Sequence, residues 1–311
     1  MVTENMSFQK AVNSFKKYLI VERGFSSLTV KEYNNDLQQL YKYLVHKKDF
    51  PEKFSIEKIE RFHLSEFLSD MVLKKNNAPV TRNRKLYSIR SFFKYLKKYN
   101  LIEKDPSQTI EASKTKSKRE PIYLKQKNAA RLLAAIKKHN GLNIKRDQAI
   151  VKLFLYSGLR LSELIGLNVD DINFEDFSIK FFGKGNKERF VPLHQDVILA
   201  IKEYFPERNK ITPVNEEAEK ALFLSRRGKR ISPRSVQVLV KKYAKKAGLK
   251  NASQITPHKL RHTFASMLYR ETKDLRILQE LLGHESISTT QIYTHTDTEE
   301  RKNAIQEIPK Y

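Results

Sequence analysis

Between Asp105 and Pro121 the apolar periodicity that runs through the rest of the chain stops. Ala112 to Arg119 carries four positive charges, no acid and no hydrophobic repeat, so it cannot be folded into a core. This break divides the 311 residues into two stretches, each long enough to build its own core. The division predicts a unit over 1–105, a basic linker over 106–120 and a second unit over 121–311. An ordinary solvated loop is the plainer reading of the linker.

The first stretch reads as four helices. Phe8, Val12, Phe15 and Leu19 form one stripe at helical spacing. Thr29 to Glu32 has capping-box spacing and precedes Tyr33, Leu37, Leu40, Tyr41 and Leu44. Ile59, Phe62, Phe67, Leu68 and Met71 predict a third buried face, and Leu86, Ile89, Phe93 and Leu96 a fourth. Thr81, Arg82, Arg84, Lys85 and Arg90 are placed on the outer side of that fourth helix.

The second stretch is mixed. Ala129–Lys138 and Arg146–Tyr156 look helical, whereas Phe177, Ile179 and Phe181 alternate as in a strand. A glycine turn carrying Lys184 follows, and Arg189 to Leu193 returns, which predicts a hairpin. Ser232-Pro233 and Thr256-Pro257 are helix starts; Asp274 caps a short helix that Gly283 closes.

Charge narrows the partners. Lys and Arg number 60 against 35 Asp and Glu, a net charge of +25, of which residues 1–100 hold +10 and residues 124–311 hold +14. Both halves are therefore basic, which points to one polyanion touched by both, and nucleic acid is the commonest. A Lys-rich bias of the whole proteome is the alternative. The absence of cysteine excludes disulfides, thiolate zinc, iron–sulfur clusters and a Cys nucleophile. No apolar run approaches a membrane span and the N-terminus lacks a signal-peptide core, so an intracellular, cytoplasmic protein is expected.

On the helix after Thr256, Leu260, Phe264 and Leu268 make the apolar stripe, while His258, Arg261 and His262 share the opposite side. Three hydrogen-bond donors at this spacing suit an oxyanion. A zinc site built on His258 and His262 is disfavoured by Lys259 and Arg261 among them, and a solvated polar face is the other alternative.

Three further segments accompany that helix: Ser157 to Leu164, containing Arg160 and Glu163; the Gly183 to Arg189 turn with Lys184; and Leu282 to His295, in which His284 precedes Tyr293 by nine residues. Together, and in this order, they resemble the tyrosine site-specific recombinases, the phage-integrase family. Taken singly, Tyr293 is one of 14 tyrosines, Arg160 could be a surface ion pair with Glu163, and Lys184 a solvated turn residue.

The resemblance implies a mostly α fold with a small β-sheet or hairpin: an N-terminal four-helix core-binding (SAM-like) domain and a mixed α/β tyrosine-recombinase catalytic domain. It implies that Arg160 and Arg261 clamp the scissile phosphate and that His258 and His284 bond its oxygens or shuttle a proton. Tyr293 attacks, and Lys184 protonates the departing 5′ oxygen. Glu163 and His262 support them. DNA contacts are expected from Thr81, Arg82, Arg84, Lys85 and Arg90, from Arg226, Arg227, Lys229 and Arg230, and from Lys241 and Lys242. No metal or cofactor is expected, because the chain has no acidic cluster for two-metal catalysis and no nucleotide-binding glycine motif.

The implied partners are double-stranded DNA with paired recombination sites and other subunits, as a homotetramer or a heterotetramer with a related recombinase. The tail, 296–311, is placed on a neighbouring subunit or docked on its own. The chain starts directly in the core-binding helices, which favours a nucleoid-associated, Xer-like resolvase of chromosome or plasmid dimers. A mobile-element integrase or excisionase, a type IB topoisomerase and an inactive DNA-binding protein are the competing readings.

Overall fold

The computed structural model describes residues 6–73, 78–114, 123–182 and 188–283. The chain forms two compact units, Met1–Arg119 and Glu120–Tyr311.

The first unit contains α1 (Phe8–Val21), α2 (Ser27–Lys47), α3 (Arg61–Leu73) and α4 (Pro79–Lys98). The α1 stripe is buried as its spacing predicts: Phe8, Val12, Phe15 and Leu19 are each at most 1% exposed. The cap of α2 lies three residues before the expected one, because Ser26 has the extended backbone a cap needs and its hydroxyl accepts from Thr29 N–H. In α3 the inner face is Leu64, Phe67, Leu68 and Met71; Phe62, two residues before Leu64, falls on the other side and is exposed.

Lys85 corrects the reading of α4. It is not on the outer side: it is 3% exposed and lies on the flank that faces α2, one turn before Ile89. There its Nζ donates to Asp36 Oδ1 at 2.9 Å and to Gln39 Oε1 at 2.8 Å. Asp36 also accepts from both terminal nitrogens of Arg84 and from Ser88 Oγ, so one buried carboxylate receives four donors from α4.

The chain beyond α4 stays with this unit. Ile102 and Ile110 enter the core, Arg90 donates to Ile110 O, and Asn83 exchanges two 2.8 Å hydrogen bonds with the backbone of Ser113. Residues 106–114, expected in the linker, thus run along α4; residues 115–122 lie outside the described part.

The second unit surrounds one helix. It comprises α5 (Gln126–Lys137), α6 (Ile144–Ser157), α7 (Leu161–Gly166), β1 (Ile172–Asn173), β2 (Ser178–Phe182), β3 (Glu188–Pro192), α8 (Gln195–Arg208), α9 (Glu216–Lys220), α10 (Pro233–Lys246), α11 (Pro257–Thr272) and α12 (Leu275–Leu282). α6 packs against α5, α8 and α11, and its Ala149, Ile150, Val151, Leu153 and Phe154 are fully buried.

The sheet is antiparallel in the order β1-β2-β3, with Ile179 opposite Val191 and both side chains in the core. Phe177 is not part of the strand: its φ of +48° breaks the extended run just before β2 and leaves the ring exposed. The anticipated caps are in place, with Ser232, Thr256 and Asp274 each accepting from backbone N–H groups of the helix that follows. Among the described residues no helix is long and apolar enough to cross a membrane.

Candidate active site

Four helix ends supply the site. α6 stops at Gly158, which has a φ of +61° and turns the chain towards Arg160 at the start of α7. α11 lies between α6 and α12 and brings His258, Arg261 and His262. α12 ends at Leu282 and Gly283, immediately before His284.

The two arginines are held by the same groups. Glu163 accepts from Arg160 N–H through Oε2 at 2.7 Å and from Arg160 Nη1 through Oε1 at 2.7 Å. Its Oε2 also stands 3.8 Å from Arg261 Nη1. Arg160 Nη2 donates to Gly283 O at 2.9 Å, and Arg261 Nη2 donates to Leu282 O at 2.7 Å. A third carbonyl, Gly158 O, accepts from Arg261 Nη1 at 2.6 Å. These oxygens lie at helix C-termini, where backbone carbonyls lack partners and the helix dipole favours a cation.

Arg261 decides against the solvated-face alternative for its helix. The side opposite Leu260 is not a solvated face, because α6 and α12 cover it and leave Arg261 only 4% exposed. His262 beneath it is buried as well, whereas His258 at the start of α11 keeps access to solvent. The two imidazoles meet edge to face, with centroids 4.4 Å apart and Nε2 to Nε2 at 2.9 Å. Partial loss of water lowers the His258 pKa below the ordinary imidazole value, and the nearby Lys259 and Arg261 lower it further.

The result is two guanidinium groups sharing one carboxylate, with His258 close enough to Arg261 to feel its charge, an arrangement suited to a bound oxyanion. Arg160 and Arg261 meet at Glu163, and His258 and His262 meet each other one turn apart on α11. The Arg160–Glu163 ion pair exists, but Glu163 serves both arginines. Lys184, His284 and Tyr293 lie outside the described residues. Lys180 Nζ and Glu188 Oε1 pair at 2.6 Å across β2 and β3.

The expected DNA-contact residues separate into two groups. Arg226, Arg227, Lys229, Lys241 and Lys242 are exposed, the first three on a turn closed by Ser225 and Lys229. Arg84 is half-exposed although Asp36 binds it, and Thr81 and Arg82 are partly covered. Lys85 is internal. Arg90 is bound to Ile110 O, and Arg230 donates to the carbonyls of Ile165, Leu167 and Glu217 and to Asn168 Oδ1. Both brace the backbone where the sequence reading placed a DNA contact. Charge alone does not distinguish the groups, since the deciding acceptors, backbone carbonyls for Arg90 and Arg230 and the Asp36 and Gln39 side chains for Lys85, are distant in sequence.

The motifs did not reveal the carbonyls of Gly158, Leu282 and Gly283. The visible signal for them was a glycine at each of two helix ends beside the arginine motifs.

A model of the phage integrase family matches residues 123–300, and one of the phage integrase N-terminal SAM-like domain matches residues 12–100. The chain is 40% identical to the tyrosine recombinase XerC of Thermodesulfovibrio yellowstonii over 288 residues, covering 92% of this chain and 91% of the relative. It is 36% identical over 296 residues to the tyrosine recombinase XerD of Oceanobacillus iheyensis, covering 95% and 97%. Among solved structures it is similar to the XerH site-specific recombinase bound to difH substrate in a pre-cleavage complex. That match has a TM-score of 0.69 and 25% identity, and covers 98% of this chain and 86% of the other.

Proposed function

The chain belongs to the phage integrase family of tyrosine recombinases, enzymes of DNA strand transfer, and from that premise we propose how its own residues cut and rejoin DNA. The observation that carries the proposal is the Arg160–Glu163–Arg261 cluster, which gathers two guanidinium groups beside His258.

A phosphodiester resists nucleophiles because it is an anion and its leaving alkoxide is strongly basic. Arg160 and Arg261 neutralise the nonbridging oxygens, and His258 and His284 bond them or take up a proton. The Tyr293 oxygen attacks phosphorus and gives up its proton, the P–O5′ bond breaks, and Lys184 donates a proton to the departing O5′. The 3′-phosphotyrosyl bond conserves the energy of the bond that was cut. A 5′-hydroxyl from the partner strand then reverses the step, so neither ATP nor a metal is required.

Both units touch the duplex in this reading, 1–105 as the core-binding domain and 121–311 as the catalytic domain. Arg84, Arg226, Arg227, Lys229, Lys241 and Lys242 supply phosphate or base contacts. Relatives named XerC and XerD at 36–40% identity support an Xer-like role in the cytoplasm, resolving chromosome or plasmid dimers. The active form is a tetramer on two paired sites, with 296–311 packed on a neighbouring subunit.

The test is a suicide substrate made from source DNA. The parent protein should become covalently joined to it; Tyr293→Phe should still bind but trap nothing. A covalent adduct in Tyr293→Phe would overturn the assignment of the nucleophile. Relaxation of supercoiled DNA without exchange between paired sites would place the chain with the topoisomerases.

A further inference from the structure

The resemblance gives His262 only an unspecified supporting role and the strand-transfer scheme assigns it no step, yet it is buried against the exposed histidine that has one. A 2.9 Å contact between two imidazole nitrogens holds a single proton: two facing N–H groups would clash and two bare lone pairs would repel. That contact uses Nε2 of His258 and leaves Nδ1 as the ring nitrogen a substrate can reach.

We propose that His262 is a positioning residue for cleavage: its Nε2–H donates to His258 Nε2, which commits the His258 proton to Nδ1 and so to the scissile phosphate. The proposal deepens the strand-transfer reading and relies on it for the identity of the anion.

The alternative tautomer places the His258 proton on Nε2 and presents a bare Nδ1 lone pair to the phosphate oxygens. An anion in the pocket selects against it. Partial burial, and after it the charges of Lys259 and Arg261, favour the neutral form of His258, which has only one N–H. Tautomer, rather than charge, therefore decides whether His258 can donate. His262 is well placed to fix it, since its burial keeps the ring from turning out into water. The i, i+4 spacing on α11 makes the contact a property of the helix itself. At metal sites, an outer-shell partner that fixes a histidine's orientation and tautomer is worth about 10–100-fold in activity, and an effect of that order is expected for His262.

Two variants and one spectrum test this. His262→Gln keeps an N–H donor, whereas His262→Leu keeps bulk without one. In single-turnover cleavage of a suicide substrate, His262→Leu should be about 10–100-fold slower than the parent. His262→Gln should recover most of that loss, and both should bind DNA as the parent does. Long-range nitrogen–proton NMR correlations on full-length, histidine-labelled parent protein should show His258 as the neutral Nδ1–H tautomer. An Nε2–H tautomer for His258, or parental cleavage by His262→Leu, overturns the proposal. The spectrum decides it even if the leucine variant fails to fold. If the parent traps no DNA while His258 carries its proton on Nδ1, the strand-transfer reading fails and the tautomer assignment stands.

Discussion

A methyl group on residue 158 would stand 2.3 Å from Phe264 Cδ1 and 3.0 Å from Leu282 Cδ2, and the backbone there already has a φ of +61°. A left-handed conformation costs a non-glycine residue about 1 kcal/mol, and forcing a partly buried, packed ring aside adds about 1–3 kcal/mol. Gly158→Ala should therefore lower the stability of the second unit by about 2–4 kcal/mol in urea unfolding. Adding Phe264→Ala should regain part of the loss; no regain would mean the ring is not the obstacle. His258 permits a second prediction. Its folded pKa lies below the ordinary 6.5, so the unfolded chain takes up this proton first as pH falls. Stability should decline as pH drops below about 6.5, until the folded value is reached. The fall in Tm between about pH 7.5 and 5.5 should be shallower in His258→Asn than in the parent. At this scale the sequence was a good guide to which residues meet, since i+3 and i+4 spacing is a property of any helix. It could not show that Arg261 is buried, because that depends on α6 and α12 closing over α11.

The contact between α2 and α4 shows how far a periodic pattern can be followed. Leu86, Ile89, Phe93 and Leu96 mark the buried face of α4 correctly. Lys85 reads as solvated because its partner, Asp36, is 49 residues away and carries no local signal. With Arg84 and Ser88, Lys85 makes this a polar tie inside an apolar interface. Removing the carboxylate leaves a buried ammonium group without its counter-charge, which typically costs about 3–5 kcal/mol. Asp36→Ala should accordingly raise amide hydrogen exchange throughout α2 and α4, and Asp36→Leu with Lys85→Met should restore much of the protection. Unchanged exchange in Asp36→Ala would show that Arg84 and Lys85 are satisfied by water. The helix caps were legible for the opposite reason, as Ser232, Thr256 and Asp274 act within three residues of themselves.

Across the whole molecule the 60 cations behind the +25 charge are an upper bound on what DNA can use, because some of them serve the fold. Lys85 is inside, and Arg90, Arg146 and Arg230 spend donors on backbone carbonyls. Arg226, Arg227 and Lys229 stand exposed on one turn. Each cation that neutralises a duplex phosphate releases condensed counterions and contributes about −0.9 to the slope of log affinity against log salt. Replacing Arg226, Arg227 and Lys229 together by Ala should make that slope shallower by up to about 2.7, read by anisotropy of a labelled duplex between about 50 and 200 mM salt. Lys85→Met should leave the slope as it is, since that charge never meets the counterion atmosphere. A shallower slope for Lys85→Met, or an unchanged one for the triple variant, would contradict this partition of the charge. The exposed turn would then be idle, and the salt dependence would have to come from cations elsewhere in the two units.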